Sequence, residues 1–293
     1  MTRVLGVIGG SGLYAFPGLR GAAVHQIETP FGQPSAAVVA GRLGEVRLLF
    51  LPRHGAGHRI PPHAVNYRAN VCALKLLGAQ QILGISAVGS LEAELRPGDI
   101  VLPDQYVDLT KRRAATFFDG GVVAHVAFGA PVSAALASAG AAAAAAAGAR
   151  VHGRGTYVCI EGPQFSSRAE SLLYRSWGAD VIGMTALPEA KLAREAELPY
   201  ATLALVTDYD CWHASEPEVS TAAVVDVLKA NTELAYRVVA EIASRLPDPA
   251  TSPESHALRH AFVNDRLEPS DAERRLLGWL IDKYTNPSGL KDS

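Results

Sequence analysis

Seven short runs along the chain carry apolar residues at successive positions: "RVLGVIG" (3–9), "EVRLLFLP" (45–52), "QQILGISAVG" (80–89), "GDIVLP" (98–103), "GTYVCIEG" (155–162), "ADVIGM" (179–184) and "YATLALVTD" (200–208). A strand with one wet face would alternate apolar and polar, so runs without alternation predict strands covered on both faces. Helical spacing fills several of the intervals. "VNYRANVCALKLLG" (65–78) closes on Gly78, suited to the left-handed position after a helix, and "PEAKLAREAEL" (188–198) repeats the pattern. The alanine run from Ala141 to Ala147 reads as helix of high propensity. Buried strands interleaved with helices predict an α/β fold, a single domain with a central, mostly buried mixed sheet flanked by helices.

The pattern changes after Leu246, where "PDPATSPES" (247–255) brings three prolines in nine residues and no apolar period. We therefore expect one domain over 1–246, and a linker with a C-terminal helical extension over 247–293. Ser270 and Glu273 form a capping box for "SDAERRLLGWLIDKY" (270–284), and Leu276, Leu277, Leu280, Ile281 and Tyr284 fall on one face of that amphipathic helix. Its own domain or a neighbouring subunit must cover the stripe.

Composition narrows the class. With 293 residues, 48% hydrophobic and 19% charged, the chain can build a core without staples. A formal net charge of −2 without a basic stripe argues against nucleic acid as a partner and for a small ligand. Cys72, Cys159 and Cys211 are odd in number and lack C-x-x-C spacing, which fits neither a disulfide framework nor a structural zinc site. No charged leader precedes Val4 and no apolar run approaches the roughly 20 residues of a membrane span, so a cytoplasmic protein with no membrane partner is expected.

The candidate chemistry sits at the ends of the strands. In "VLGVIGGSGL" (4–13), Gly10, Gly12 and Ala15 fit a dinucleotide fingerprint with Glu28 as its carboxylate, yet Phe16, Pro17 and Gly18 would break the helix which that motif must open. A glycine loop with the Ser11 hydroxyl suits a single anion, or simply a tight turn. Arg53 and His54 follow "EVRLLFLP", Ser86 lies in "GISAVGS" and Thr185 follows "ADVIGM". Arg53 would offer a planar fork of donors and His54 one donor more. Counted together at strand ends, these residues suit inorganic phosphate. In "VTDYDCWH" (206–213), D-x-D-C-x-H could be read as a metal set, but a carboxyl in an apolar strand-end pocket has a raised pKa and can donate a proton. A turn or capping role for Asp208 stands beside that reading, and Phe165 in "IEGPQFSS" could stack on a flat ring or plug the core.

Taken together, "GVIGGSGLY", "PRHGAGHRIPPHAVNYRAN", "SAVGSLEAELRPGDIVLPDQ", "TFFDGGVVAH", "TYVCIEGPQFSSRAES", "WGADVIGMTALPEAKLAREA" and "YATLALVTDYDCWH" resemble the methylthioadenosine phosphorylase branch of the nucleoside phosphorylase family, in that order and over most of residues 4–230. The resemblance implies phosphate binding by Ser11, Arg53, His54, Ser86, the Ala87 backbone and Thr185. It implies Met184 at the ribose, Phe165 beside the purine, Ser166 near the base, and Asp208 and Asp210 on the N7 and N6 edge, with Asp208 as the catalytic acid. His125 would be lent to the 5′-alkylthio pocket of an adjacent subunit, whose other walls include Thr221 and Val225, in a homotrimer with shared sites. The implied reaction is phosphorolysis of methylthioadenosine, with no cofactor and no metal and with phosphate as co-substrate. Ser11 and Ser86 stand where some members carry threonine, Thr221 where valine is usual, and Gln164 where an arginine is common.

Overall fold

A computed structural model describes residues 2–10, 16–213, 221–263 and 267–285, with the backbone alone for 221–230. Among the described residues, eleven strands form one mixed sheet: β1 (Val4–Gly9), β2 (Arg20–His25), β3 (Val38–Leu43), β4 (Val46–Pro52), β5 (Gln81–Ser90), β6 (Ile100–Val101), β7 (Gln105–Asp108), β8 (Val151–His152), β9 (Thr156–Cys159), β10 (Val181–Gly183) and β11 (Tyr200–Asp208). The helices are α1 (Tyr67–Leu76), α2 (Ala134–Ala146), α3 (Arg168–Ser176), α4 (Ala186–Glu195), α5 (Thr221–Ser244) and α6 (Asp271–Thr285).

Both faces of the sheet are covered, which is why its strands do not alternate. Leu5 and Val7 of β1 pack with α2 and α5, while Val4 and Ile8 pack with α1, α4 and α6. Each of the seven runs contains a strand, although β6 keeps only two residues. The apolar pattern misses the hairpin of β2 and β3, the short strands β7 and β8, and the helices α3 and α5. Strand β2 lies exposed at a sheet edge, and its register on β3 shifts between Arg20 and Ala23, so it buries no apolar face that a pattern could reveal. Gly78 ends α1 at φ 91°, as expected.

β5 organises the sheet. On one edge it pairs with β11 from Ile82 to Gly89. On the other it pairs in parallel with β1 only from Gln81 to Gly84, and β10 enters antiparallel at Gly89 and Ser90. From Ile85 to Val88 this edge meets neither strand. Such a break in strand order opens a crevice at the sheet, the usual place for a ligand in an α/β fold. Ala87 and Gly89 are the two residues of β5 that are not fully buried. Ser86 is therefore mid-strand instead of at a strand end: β5 runs on because β10 extends its pairing.

The C-terminal extension covers its apolar stripe on its own chain. Trp279 of α6 packs edge-on against Phe117, with ring centroids 5.1 Å apart, and Leu277, Leu280 and Ile281 enter the same core. Tyr284 donates to buried Glu197 at 2.5 Å, and Lys283 pairs with the same carboxylate. The capping box forms as expected, with Glu273 accepting from Ser270 N at 2.7 Å and Ser270 Oγ from Glu273 N at 3.3 Å. A short bridge of Ala124 with Phe262, and a bond from His125 N to Ala261 O at 2.8 Å, tie the extension to the loop before α2.

Candidate active site

Arg53 follows β4 directly and is buried. Its Nε and Nη2 hold the two oxygens of Glu189 at 2.8 and 2.9 Å, Nη2 also reaches Ile8 O at 3.1 Å, and Nη1 donates to Ile85 O at 2.9 Å. Burial on its own would disfavour the guanidinium charge; the Glu189 carboxylate outweighs it and keeps the pKa above the ordinary value. Tyr200 adds a bond to Glu189 at 2.9 Å. Gly84 makes room for this pair, since a Cβ there would lie 2.3 Å from the Tyr200 hydroxyl and 2.7 Å from Glu189. The fork is thus committed inside the protein. What remains for an anion is one N–H of Nη1, on the side where a Cβ on Gly10 would stand 3.6 Å away.

His54 Nδ1 lies 2.8 Å from Ile60 O, and its ring stacks on His58 at 4.2 Å. A carbonyl can only accept, so Nδ1 carries the proton. Burial, followed by the charge of Arg53, drives the His54 pKa down to about 3, so Nε2 holds a lone pair. The extra donor expected from this ring is instead an acceptor. Ser86 Oγ and Thr185 Oγ1 share a bond of 2.8 Å, which brings the middle of β5 and the turn after β10 together. Ser11 lies outside the described residues.

Asp208 ends β11 opposite Gly89. It accepts from Thr207 Oγ1 at 2.7 Å and from Asp210 N at 2.8 Å, and Asp210 takes the left-handed φ of 50° that closes this tight loop. Burial raises the pKa of both carboxyls; for Asp208 these two donors oppose it without cancelling it. A Cβ on Gly89 would meet Asp208 Oδ1 at 2.9 Å and Asp210 Cβ at 3.3 Å, so glycine is what lets both aspartates lie over the strand. Nearby, Ser166 Oγ is buried with no hydrogen-bond partner among the described residues, an expensive condition unless a ligand supplies one, and the buried Asp210 carboxylate has the Ser171 hydroxyl beside it. Cys211 Sγ holds Ser166 O at 3.3 Å. Met184 packs on the next turn, its Sδ 2.5 Å from where a Cβ on Gly162 would be. Phe165 is 46% exposed, which rules out the core plug and leaves its face available. His213 stacks on Tyr209 at 4.9 Å, and among the described residues no group of three His, Cys, Asp or Glu could hold a metal.

The model of the phosphorylase superfamily matches residues 4–244. The chain belongs to that superfamily. Within it, the S-methyl-5'-thioadenosine phosphorylase of Geobacter sulfurreducens is 51% identical over 278 residues, covering 94% of this chain and 97% of the relative. That of Chloroflexus aurantiacus is 53% identical over 276 residues, covering 93% and 96%. A methylthioadenosine phosphorylase structure from an Antarctic soil metagenomic library superposes with TM-score 0.89 at 46% identity, over 96% of this chain and 99% of that one. The Schistosoma mansoni methylthioadenosine phosphorylase in complex with adenine gives TM-score 0.84 at 35% identity, over 89% and 99%.

Arg53, Ser86 and Thr185 thus meet at the break in β5, with His54 next to Arg53 and Ala87 next to Ser86, while Asp208 and Asp210 lie over Gly89 at its far end and Cys211 ties them to Ser166; Met184 precedes Thr185, and Phe165 precedes Ser166. His125 is exposed on the surface loop before α2. Thr221 and Val225 fall in the part of α5 described by backbone alone. Glu189 escaped the sequence reading, although a signal was present: it shares the i, i+3, i+4, i+7 stripe with Leu192, Ala193 and Ala196, all fully buried. An acid on an apolar stripe demands a buried cation.

Proposed function

We propose that this protein cleaves methylthioadenosine with inorganic phosphate, releasing adenine and 5-methylthioribose 1-phosphate. One observation carries the reading: a partly buried carboxyl with a raised pKa, Asp208, lies at one end of a sheet crevice whose other end gathers Arg53, Ser86 and Thr185. Ala87 and Gly89 stand two strand steps apart on the crevice floor, about 7 Å, which leaves room for a pentose between phosphate and base. Phosphate attacks C1′ as the C1′–N9 bond opens; the bonding electrons leave with the purine, and protonated Asp208 gives its proton to N7. His54 Nε2 accepts a hydrogen bond from the P–OH of monohydrogen phosphate; the proton on adenine comes from Asp208, and the proton that phosphate gives up on becoming the sugar phosphate dianion restores the Asp208 acid through solvent. The Asp210 carboxylate accepts from the 6-amino group, a donor that a 6-oxo purine lacks. The chemistry needs neither cofactor nor metal.

We also infer a homotrimer in which His125 completes a neighbouring 5′ pocket. Its exposed position supports this, as do Leu172, Leu173 and Trp177 of α3, which are 52%, 47% and 51% exposed and form an apolar patch of the kind that subunits cover. Free cysteines support a reducing, cytoplasmic setting. Among the described residues no helix is long and apolar enough to cross a membrane.

The test compares methylthioadenosine, methylthioinosine, adenosine and inosine with and without phosphate. Phosphate-dependent release of adenine from methylthioadenosine is expected. Preferred release of hypoxanthine, or full cleavage without phosphate, would overturn the reading.

A further inference from the structure

Arg113 lies between β7 and the loop that bears His125, and none of the roles above uses it. Its side chain is 1% exposed, yet its donors go to backbone carbonyls instead of a carboxylate: the nearest one, Glu161 Oε1, is 3.5 Å from Nε and makes no hydrogen bond with it. Nη1 donates to Met184 O and Leu187 O, each at 2.7 Å, and Nη2 to Glu161 O at 2.6 Å and Ile160 O at 3.3 Å. Nη1 also reaches the Tyr67 hydroxyl at 3.0 Å, which in turn donates to Pro62 O at 3.0 Å.

These carbonyls come from two separate segments. Residues 160–161 lead to Phe165 and Ser166, and residues 184–187 contain Met184 and Thr185. Carbonyl oxygens from two loops repel one another, and only a cation with planar, divergent donors can hold both pairs at once. The same segments also touch where Met184 packs on Gly162. We infer that Arg113 is a positioning residue of the nucleoside site, a clamp that holds the purine loop against the Met184–Thr185 turn so that base, sugar and phosphate lie in line. The inference rests on the function proposed above. Thr185 is separately bonded to Ser86 in β5, so the phosphate side keeps its anchor when the clamp is lost.

Steady-state kinetics of the wild type, Arg113→Met and Arg113→Lys, with nucleoside and phosphate varied independently below each melting temperature, test the clamp. For Arg113→Met, kcat/KM for methylthioadenosine should fall about 100-fold, the usual consequence of a misplacement near 1 Å, with the nucleoside KM raised and the phosphate KM little changed. Arg113→Lys should fall between, because one nitrogen cannot serve both carbonyl pairs, and it carries the test if the methionine variant does not fold. A lower melting temperature with both KM values unchanged, or equal losses for both substrates, overturns the clamp. If the wild type itself shows no phosphate-dependent release of adenine, the proposed function fails and the clamp with it; a normal wild type with unaltered variants sinks the clamp alone.

Discussion

The two ends of the crevice are finished in different ways. At the end we assign to phosphate, Arg53, Ser86 and Thr185 are buried and bonded within the protein, Arg53 to Glu189 and Ser86 to Thr185, and Gly84 makes room for Glu189. At the end we assign to the nucleoside, Phe165 stays half exposed, the buried Ser166 hydroxyl has no partner among the described residues, and His125 is exposed on its loop. If phosphate binds at the first end as we propose, the core has preorganised that end for it. The second is completed by substrate and, in our reading, by a neighbour. Affinity for phosphate should therefore follow the stability of the core, and recognition of the 5′ group should follow assembly.

Substitutions can break this contrast. The largest effect is expected from Asp208→Asn: turnover of methylthioadenosine should drop about 10²–10⁴-fold while phosphate binding, measured by protection against thermal unfolding, stays intact. Glu189→Gln comes next. It strands the buried Arg53 charge, so it should cost about 3–5 kcal/mol in denaturant unfolding and raise the phosphate KM more than the nucleoside KM; equal shifts would erase the distinction between the two ends. His125→Ala should raise the methylthioadenosine KM about tenfold with little change in kcat or phosphate KM, a loss of about 1.4 kcal/mol from a pocket wall.

The smallest effects concern pH. The raised pKa of Asp208 means that the acid form is lost as pH rises through it, so kcat/KM should fall on the alkaline side, while His54, neutral above about 3, adds no limb near neutrality. The same shift acts on stability. A carboxyl with a raised folded pKa favours the fold below the ordinary carboxylate value and loses that contribution as pH rises through the raised one. Asp208→Asn is free of this loss, so at alkaline pH it should melt higher than the wild type, by about 2–4 °C for each kcal/mol recovered. Calorimetry across pH checks the sign.

Much of the frame was legible because burial leaves a periodic trace. Strands covered on both faces, the capping box at Ser270 and the stop at Gly78 are local events that a few neighbouring residues decide. β2 left no such trace, being exposed. In the site, the residue types were legible and their wiring was not. Arg53 looked like a fork for an anion, yet it spends that fork on Glu189, 136 positions away in sequence. His54 looked like a donor, yet a bond to Ile60 O fixes its tautomer the other way.

By itself, then, the sequence determined which segments become buried strands and helices and which donors and acids stand near their ends, since hydrophobic period and side-chain chemistry are written residue by residue. Tertiary structure alone decided that β1 leaves β5 at Gly84, that β10 joins it reversed at Gly89, and that the crevice opens between them. Pairing between distant strands depends on which edge remains free after all the others have packed, and no linear pattern carries that information.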